Sequence, residues 1–79
     1  MEVGQIVCSL KGSDKDSFLL VVGVDEKFMY LVDGKRYKLN HPKRKNPKHI
    51  KTTLTRLDLN ELSTDKAVRK ALAVYRNNL

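Results

Sequence analysis

The sequence predicts a small, mainly β domain: a five-stranded β-barrel with a C-terminal α-helix packed on it. Three observations predict it. Short β-patterned stretches alternate with clusters of turn formers from Val3 to Leu54. The second of these stretches is apolar on both faces and therefore needs a cover. After Ser63 the apolar spacing changes from about two residues to about 3.6. A chain of 79 residues makes one domain, and a domain of this size buries only about 60% of its unfolded surface. Residues 1–57 are read as the barrel, and residues 58–79 as a linker and helix belonging to the same unit.

From Val3 to Leu10, Ile6, Cys8 and Leu10 alternate with Gln5, Val7 and Ser9, the pattern of a half-buried strand. The turn formers Lys11 to Ser17 follow. The second strand, Phe18 to Asp25, sets Phe18, Leu20, Val22 and Val24 on one face and Leu19 and Val21 on the other, with Gly23 marking a bend. Beyond Asp25-Glu26-Lys27, Phe28 to Val32 makes a third strand. Asp33-Gly34 is a two-residue hairpin signal that predicts a fourth strand beside the third, with Tyr37 and Leu39 facing one way and Arg36 and Lys38 the other. Pro42 and Pro47 make residues 40–48 a loop, and His49 to Leu54 a closing fifth strand with Ile50 and Leu54 as its apolar residues. Val68, Ala71, Leu72 and Tyr75 then form one helical stripe over Thr64 to Asn77. Ser63 or Thr64 caps it, and Asp65 lies in its first turn, where the dipole favours an anion.

Charge is the feature that speaks to function. The formal net charge is +7, yet between Asp33 and Asp58 there is no acid and there are nine cations: Lys35, Arg36, Lys38, Lys43, Arg44, Lys45, Lys48, Lys51 and Arg56. Neighbouring cations repel by about 1 kcal/mol per pair even in water, and a polyanion relieves that repulsion. Nucleic acid is the commonest such partner. Catalysis has no residue constellation to support it, since there is no paired nucleophile and base, no glycine-rich phosphate cradle and no carboxylate pair in a cleft. His41 and His49, eight residues apart, match no zinc spacing, so neither metal nor cofactor is expected. Asp14, Asp16, Asp25 and Glu26 fall in turns, where solvation and backbone capping account for them. Cys8 reads as a buried structural thiol of a reducing compartment. The chain begins without a basic start or apolar leader, and its longest apolar run is Phe18 to Val22, so a cytoplasmic protein without membrane contact is expected.

Val3-Gly4-Gln5-Ile6-Val7-Cys8, leading through Gly12 into Phe18 to Val24, resembles a KOW motif. Leu31 to Leu39 and the stretch from Pro42 to His49 extend the resemblance to small bacterial KOW-domain RNA-binding proteins, which are similar in turn to an archaeal and eukaryotic large-subunit ribosomal protein family. Residues 65–72 match the family's terminal helix. The resemblance implies an SH3-like barrel that binds structured RNA, ribosomal RNA above all, in translation and without catalysis, monomeric when free and with ribosomal proteins as further partners. One position departs: the second glycine of the motif is replaced by Asp16 or Ser17, and aspartate tolerates the positive φ such a turn asks for.

The expected nucleic-acid-binding residues are Lys35, Arg36, Lys38, Lys43, Arg44, Lys45, Asn46, Lys48, His49 and Lys51. Lysine supplies charge there, while Arg36, Arg44, Asn46 and His49 offer directional hydrogen bonds to base edges or a 2′-hydroxyl. Phe28 and Tyr30 are suited to base stacking but are assigned to the core, as are Tyr37 and, on the helix, Tyr75. An alternative reading makes the domain an interaction adaptor whose basic surface meets an acidic protein of the translation or transcription machinery. Pro42-Lys43-Arg44-Lys45 also matches the loose pattern of a nuclear import signal.

Overall fold

A computed structural model describes residues 2–79. Five antiparallel strands, β1 (Gln5–Ser9), β2 (Phe18–Val24), β3 (Met29–Val32), β4 (Lys43–Lys45) and β5 (Ile50–Arg56), form one sheet in the order β4-β3-β2-β1-β5, followed by the helix α1 (Asp65–Asn77). The chain passes from one edge of the sheet to the other, β4 to β5, through Asn46 and a single 3₁₀ turn at Pro47–His49. A flat sheet would separate those edges by about 19 Å at the usual strand spacing, whereas so short a linker spans about 10 Å. The sheet must therefore curl until its edges approach. No ladder joins β4 to β5 among the described residues, so the expected barrel is curled but not closed.

Curling gives the sheet two buried faces. Val7, Leu19, Val21, Met29, Leu31 and Ile50 fill the inner one, with Tyr37 packed against them. On the other face Ile6, Leu20 and Val32 stand directly across from one another on β1, β2 and β3, and Val68 and Leu72 of α1 cover that row. The cover that the doubly apolar second strand demanded is thus the terminal helix. Phe18 meets Tyr75 edge to face, with ring centroids 5.1 Å apart, and Leu57, Leu59 and Leu62 of the connecting segment complete this layer. Thr64 caps the helix by accepting from the Ala67 amide at 3.1 Å. The pairing of β2 with β3 shifts register between Val21 and Gly23, the bend expected at that glycine.

The fourth strand departs from expectation. Arg36 to Leu39 do not pair with β3, because the Asp33 carboxylate captures the backbone first: its Oδ1 accepts from the amides of Lys35 at 2.9 Å, Arg36 at 2.9 Å and Tyr37 at 2.8 Å. Gly34, at φ +77°, lies so close to α1 that a Cβ there would collide with the Asp65 carbonyl oxygen. Strand β4 instead comprises Lys43, Arg44 and Lys45, inside the segment expected to be a loop. Its prolines are compatible with an edge strand: Pro42 precedes the ladder, and Pro47 sits in the first turn of the 3₁₀ helix, where an amide hydrogen is not needed.

The other differences are local. Strand β5 runs on to Arg56, and Leu54 is fully exposed at 105% rather than facing the core, as befits the free edge of the sheet. Cys8 is half-buried rather than enclosed, with burial pushing its thiol pKa up, and Leu10 is exposed. Truncation of Leu20, which is fully buried under α1, to alanine is expected to cost about 2–5 kcal/mol in urea unfolding. Leu54→Ala should change stability by no more than about 0.5 kcal/mol; equal losses would mean that the β5 edge is covered in solution.

Candidate nucleic-acid interface

The site is organised by a buried ion pair. Lys45, the last residue of β4, directs its ammonium across the mouth of the curled sheet to Asp14 in the β1–β2 loop, 2.6 Å from Oδ1, with the two side chains only 9% and 5% exposed. The same ammonium donates to the Ser9 hydroxyl at 2.6 Å and to the Lys11 carbonyl at 2.8 Å, so all three of its protons are used. Ser9 donates to Asp14 Oδ1 at 2.7 Å, and the Tyr37 hydroxyl donates to Asp14 Oδ2 at 3.2 Å. Burial by itself pushes the Asp14 carboxyl up; the hydrogen bonds from Lys45 and Ser9, the Lys45 charge and the Tyr37 hydroxyl outweigh it and hold the pKa below the ordinary value. The Tyr37 hydroxyl is raised, by burial first and then by the Asp14 charge. Asp14, expected to be a solvated turn residue, is therefore a core acceptor, and Lys45, expected on the binding surface, has no donor left for a phosphate.

Around this pin lie the cations that remain free to act. The Tyr37 ring has the Arg36 guanidinium 5.6 Å and the Lys43 ammonium 5.9 Å from its centroid, and Arg36 is steadied by the Ser13 hydroxyl at 3.0 Å. A depression of about 340 Å³ runs past Lys11, Tyr37, Lys43, Arg44, Asn46 and His49. A broader one of about 720 Å³ adjoins it, sharing Tyr37, Lys43 and Arg44 and adding Arg36 and His41. Together they bring five cations against one acid, Asp14, which Lys45 already neutralises. Asn46 also has a structural task, since its side-chain oxygen accepts from the Lys48 amide at 3.0 Å and starts the 3₁₀ turn.

Of the expected binding residues, Arg36, Lys43, Arg44, Asn46 and His49 therefore meet on one surface. Lys35 does not; it lines a separate cleft of about 340 Å³ beside α1 with Arg69 and Arg76. Lys51 lies on β5 across from Cys8, while Lys38 and Lys48 are exposed but border neither depression. Lys11 and His41 join the site without having been expected there. The signal for Lys11 was its place before Gly12, whose φ of +92° turns the chain back toward Lys45. Asp16 takes φ 71° in the same loop, the positive φ that aspartate tolerates.

Phe28 and Tyr30 lie outside both cores, contrary to expectation. Tyr30 shares a face with Val32, but α1 covers only the Val32 end of that face. Its hydroxyl donates to Asp25 Oδ2 at 2.6 Å, and the Arg44 guanidinium stands 4.6 Å from the centroid of the Phe28 ring.

Removing the pin should be felt in stability. Lys45→Met leaves Asp14 without its cation, and an unfolding free energy lower by about 3 kcal/mol is expected, at the bottom of the range for broken buried pairs because a solvent-filled depression borders this one. Asp14→Asn tests the charge itself. Since the folded carboxyl ionises below its ordinary value of 3.8, the wild-type advantage is present above that pH and fades as pH falls through the lower folded value. Urea midpoints of wild type and Asp14→Asn should converge as pH falls below 3.8; a gap independent of pH would mean that shape, not charge, holds the loop. No family model matches the chain, and no curated protein is significantly similar to it.

Proposed function

We propose that this chain is a non-enzymatic RNA-binding protein of the KOW type, an SH3-like small barrel that holds structured RNA, with ribosomal RNA the leading class, on the cationic depression beside Tyr37. The observation that carries the reading is the convergence of Lys11, Arg36, Lys43 and Arg44 on one surface whose single acid is already paired. Such a surface keeps a local surplus of positive charge that only an external anion can neutralise, and side chains seated on a curled sheet lose less entropy on docking than a free basic tail would.

The geometry supports nucleic acid over a purely electrostatic partner in one respect. Arg36 and Arg44 carry planar, directional donors, and Tyr37, Asn46 and His49 supply an aromatic face and hydrogen-bonding groups among them. The SH3-like, KOW-type assignment belongs to the same proposal. It is supported by the order of five strands and helix, by the edge-to-edge connection that curls the sheet, and by the left-handed residues Gly12 and Asp16 in the first loop.

Replacing Arg36, Lys43 and Arg44 by glutamine leaves the Lys45–Asp14 pin in place and should leave the urea midpoint nearly unchanged. Affinity for a ribosomal-RNA hairpin should fall by more than about tenfold at about 0.15 M salt, and the slope of log K against log salt should flatten by about 2–3. Tight, salt-dependent binding that survives the triple substitution would move the interface elsewhere, and binding to an acidic protein in preference to RNA would favour the adaptor reading.

A further inference from the structure

Resting on the RNA-binding reading, we propose that Phe28 and Tyr30 form a stacking site for one unpaired nucleobase of the bound RNA, with Arg44 linking that site to the phosphate-binding depression. The first observation is that these two aromatic residues are not needed by either hydrophobic core: both are half-buried at the surface, although the same strand puts Met29 and Leu31 fully into the interior. They line a depression of about 380 Å³ together with Asp25, Glu26, Lys27 and Arg44.

The second observation is that the rings are held. Asp25 Oδ1 accepts from the amides of Lys27 at 2.8 Å and Phe28 at 2.7 Å, and Oδ2 takes the Tyr30 hydroxyl at 2.6 Å, so one carboxylate fixes the turn, the Phe28 backbone and the Tyr30 ring, while the Phe28 ring is packed against the Arg44 guanidinium. The Tyr30 ring lies against Gly23 of β2, where even a Cβ would stand 3.4 Å from ring atom Cδ2. Rings immobilised before binding lose little entropy when a base stacks on them.

The third observation is continuity. Arg44 borders this depression and both halves of the cationic one, and its guanidinium already lies over the Phe28 ring, 4.6 Å from the centroid. A guanidinium plane and a phenyl ring are the two surfaces on which splayed-out bases commonly stack. A nucleotide whose phosphate meets Lys43 or Arg44 therefore has a flat apolar platform on the far side of the same side chain. The Glu26 carboxylate at the rim accepts hydrogen bonds and donates none, which suits a base with an exocyclic amino group, adenine, cytosine or guanine, over uracil.

Phe28→Leu keeps an apolar side chain and removes the flat ring; Phe28→Trp restores a ring. With an RNA hairpin carrying an unpaired adenine loop, Phe28→Leu should weaken binding roughly five- to hundredfold while leaving the salt slope unchanged, and Phe28→Trp should retain affinity. On a fully paired RNA duplex the leucine variant should bind as the wild type does. Unchanged affinity for the loop, an equal loss on the duplex, or a tryptophan variant as weak as the leucine variant would overturn the stacking site while leaving the cationic interface standing. Failure of the wild type to bind either RNA in a salt-dependent way would overturn both.

Discussion

The ion pair between Lys45 and Asp14 is the constraint on which the functional surface depends. Strand β4 is three residues long and pairs with β3 alone, too little ladder to hold an edge strand of like charges in place. Lys45 supplies the missing attachment by reaching from the end of β4 to the far side of the sheet's mouth, where Ser9, Lys11 and Asp14 receive it. The alternation of a strand then decides the rest. With Lys45 facing the inner side, Lys43 faces it too and meets Tyr37, while Arg44 turns its guanidinium to the other face, over the Phe28 ring, and still borders the Tyr37 depression from the β4 edge. A single buried contact thus assigns both neighbouring cations to their surfaces.

Electrostatics explains why this arrangement suits a protein with so concentrated a charge. Nine cations on one rim would repel strongly, and the fold divides them. One is neutralised internally, Arg36 and Lys43 gather beside Tyr37, Arg44 bridges their depression to Phe28, and others are carried away to the α1 cleft and the β5 edge. The pair also benefits from its surroundings. Burial alone would favour the neutral acid, but the hydrogen bonds from Lys45 and Ser9, the Lys45 charge and the Tyr37 hydroxyl favour the charged form of Asp14 and hold its pKa below the ordinary value.

Much of the architecture was legible because it follows from periodicity. The doubly apolar β2 and the 3.6-residue stripe of Val68, Leu72 and Tyr75 specify a two-faced sheet and its helical cover, and the packing agrees; β1, read as half-buried, instead buries Val7 and Ser9 as fully as Ile6 and leaves Leu10 exposed, because the curled sheet is covered on both faces there. The fourth strand was not legible, since Asp33-Gly34 supports two competing local structures. The hairpin lost because the Asp33 carboxylate collects three amides within its own loop, an outcome decided by side-chain geometry rather than by pattern. In the site, the sign and location of the charge could be read directly, but its use could not. Lys45 and Lys43 are indistinguishable by type and spacing, and the partner that separates them, Asp14, lies 31 residues away in a loop whose acids looked solvated. Phe28 and Tyr30 fit a core strand by composition; only the limited reach of α1 leaves them at the surface.

That reach gives α1 a second role besides covering apolar surface. Its first two turns grip the loop that carries Arg36 and Tyr37: Asp65 Oδ1 accepts from the Leu39 amide at 2.8 Å, and Arg69 donates to the Gly34 carbonyl at 2.5 Å. Glycine at position 34 is what lets the loop come so near, because any side chain would strike the helix backbone. The loop is then fastened at its other end through Tyr37, whose hydroxyl reaches Asp14. Helix, loop and ion pair therefore form one chain of contacts running from the hydrophobic layer to the cationic surface, and whatever loosens the helix also loosens Tyr37 and Arg36. In a domain with so thin a core, this coupling works in the other direction as well: a polyanion that engages Arg36 and Lys43 favours the ordered loop, and through Gly34 and Leu39 it favours the docked helix.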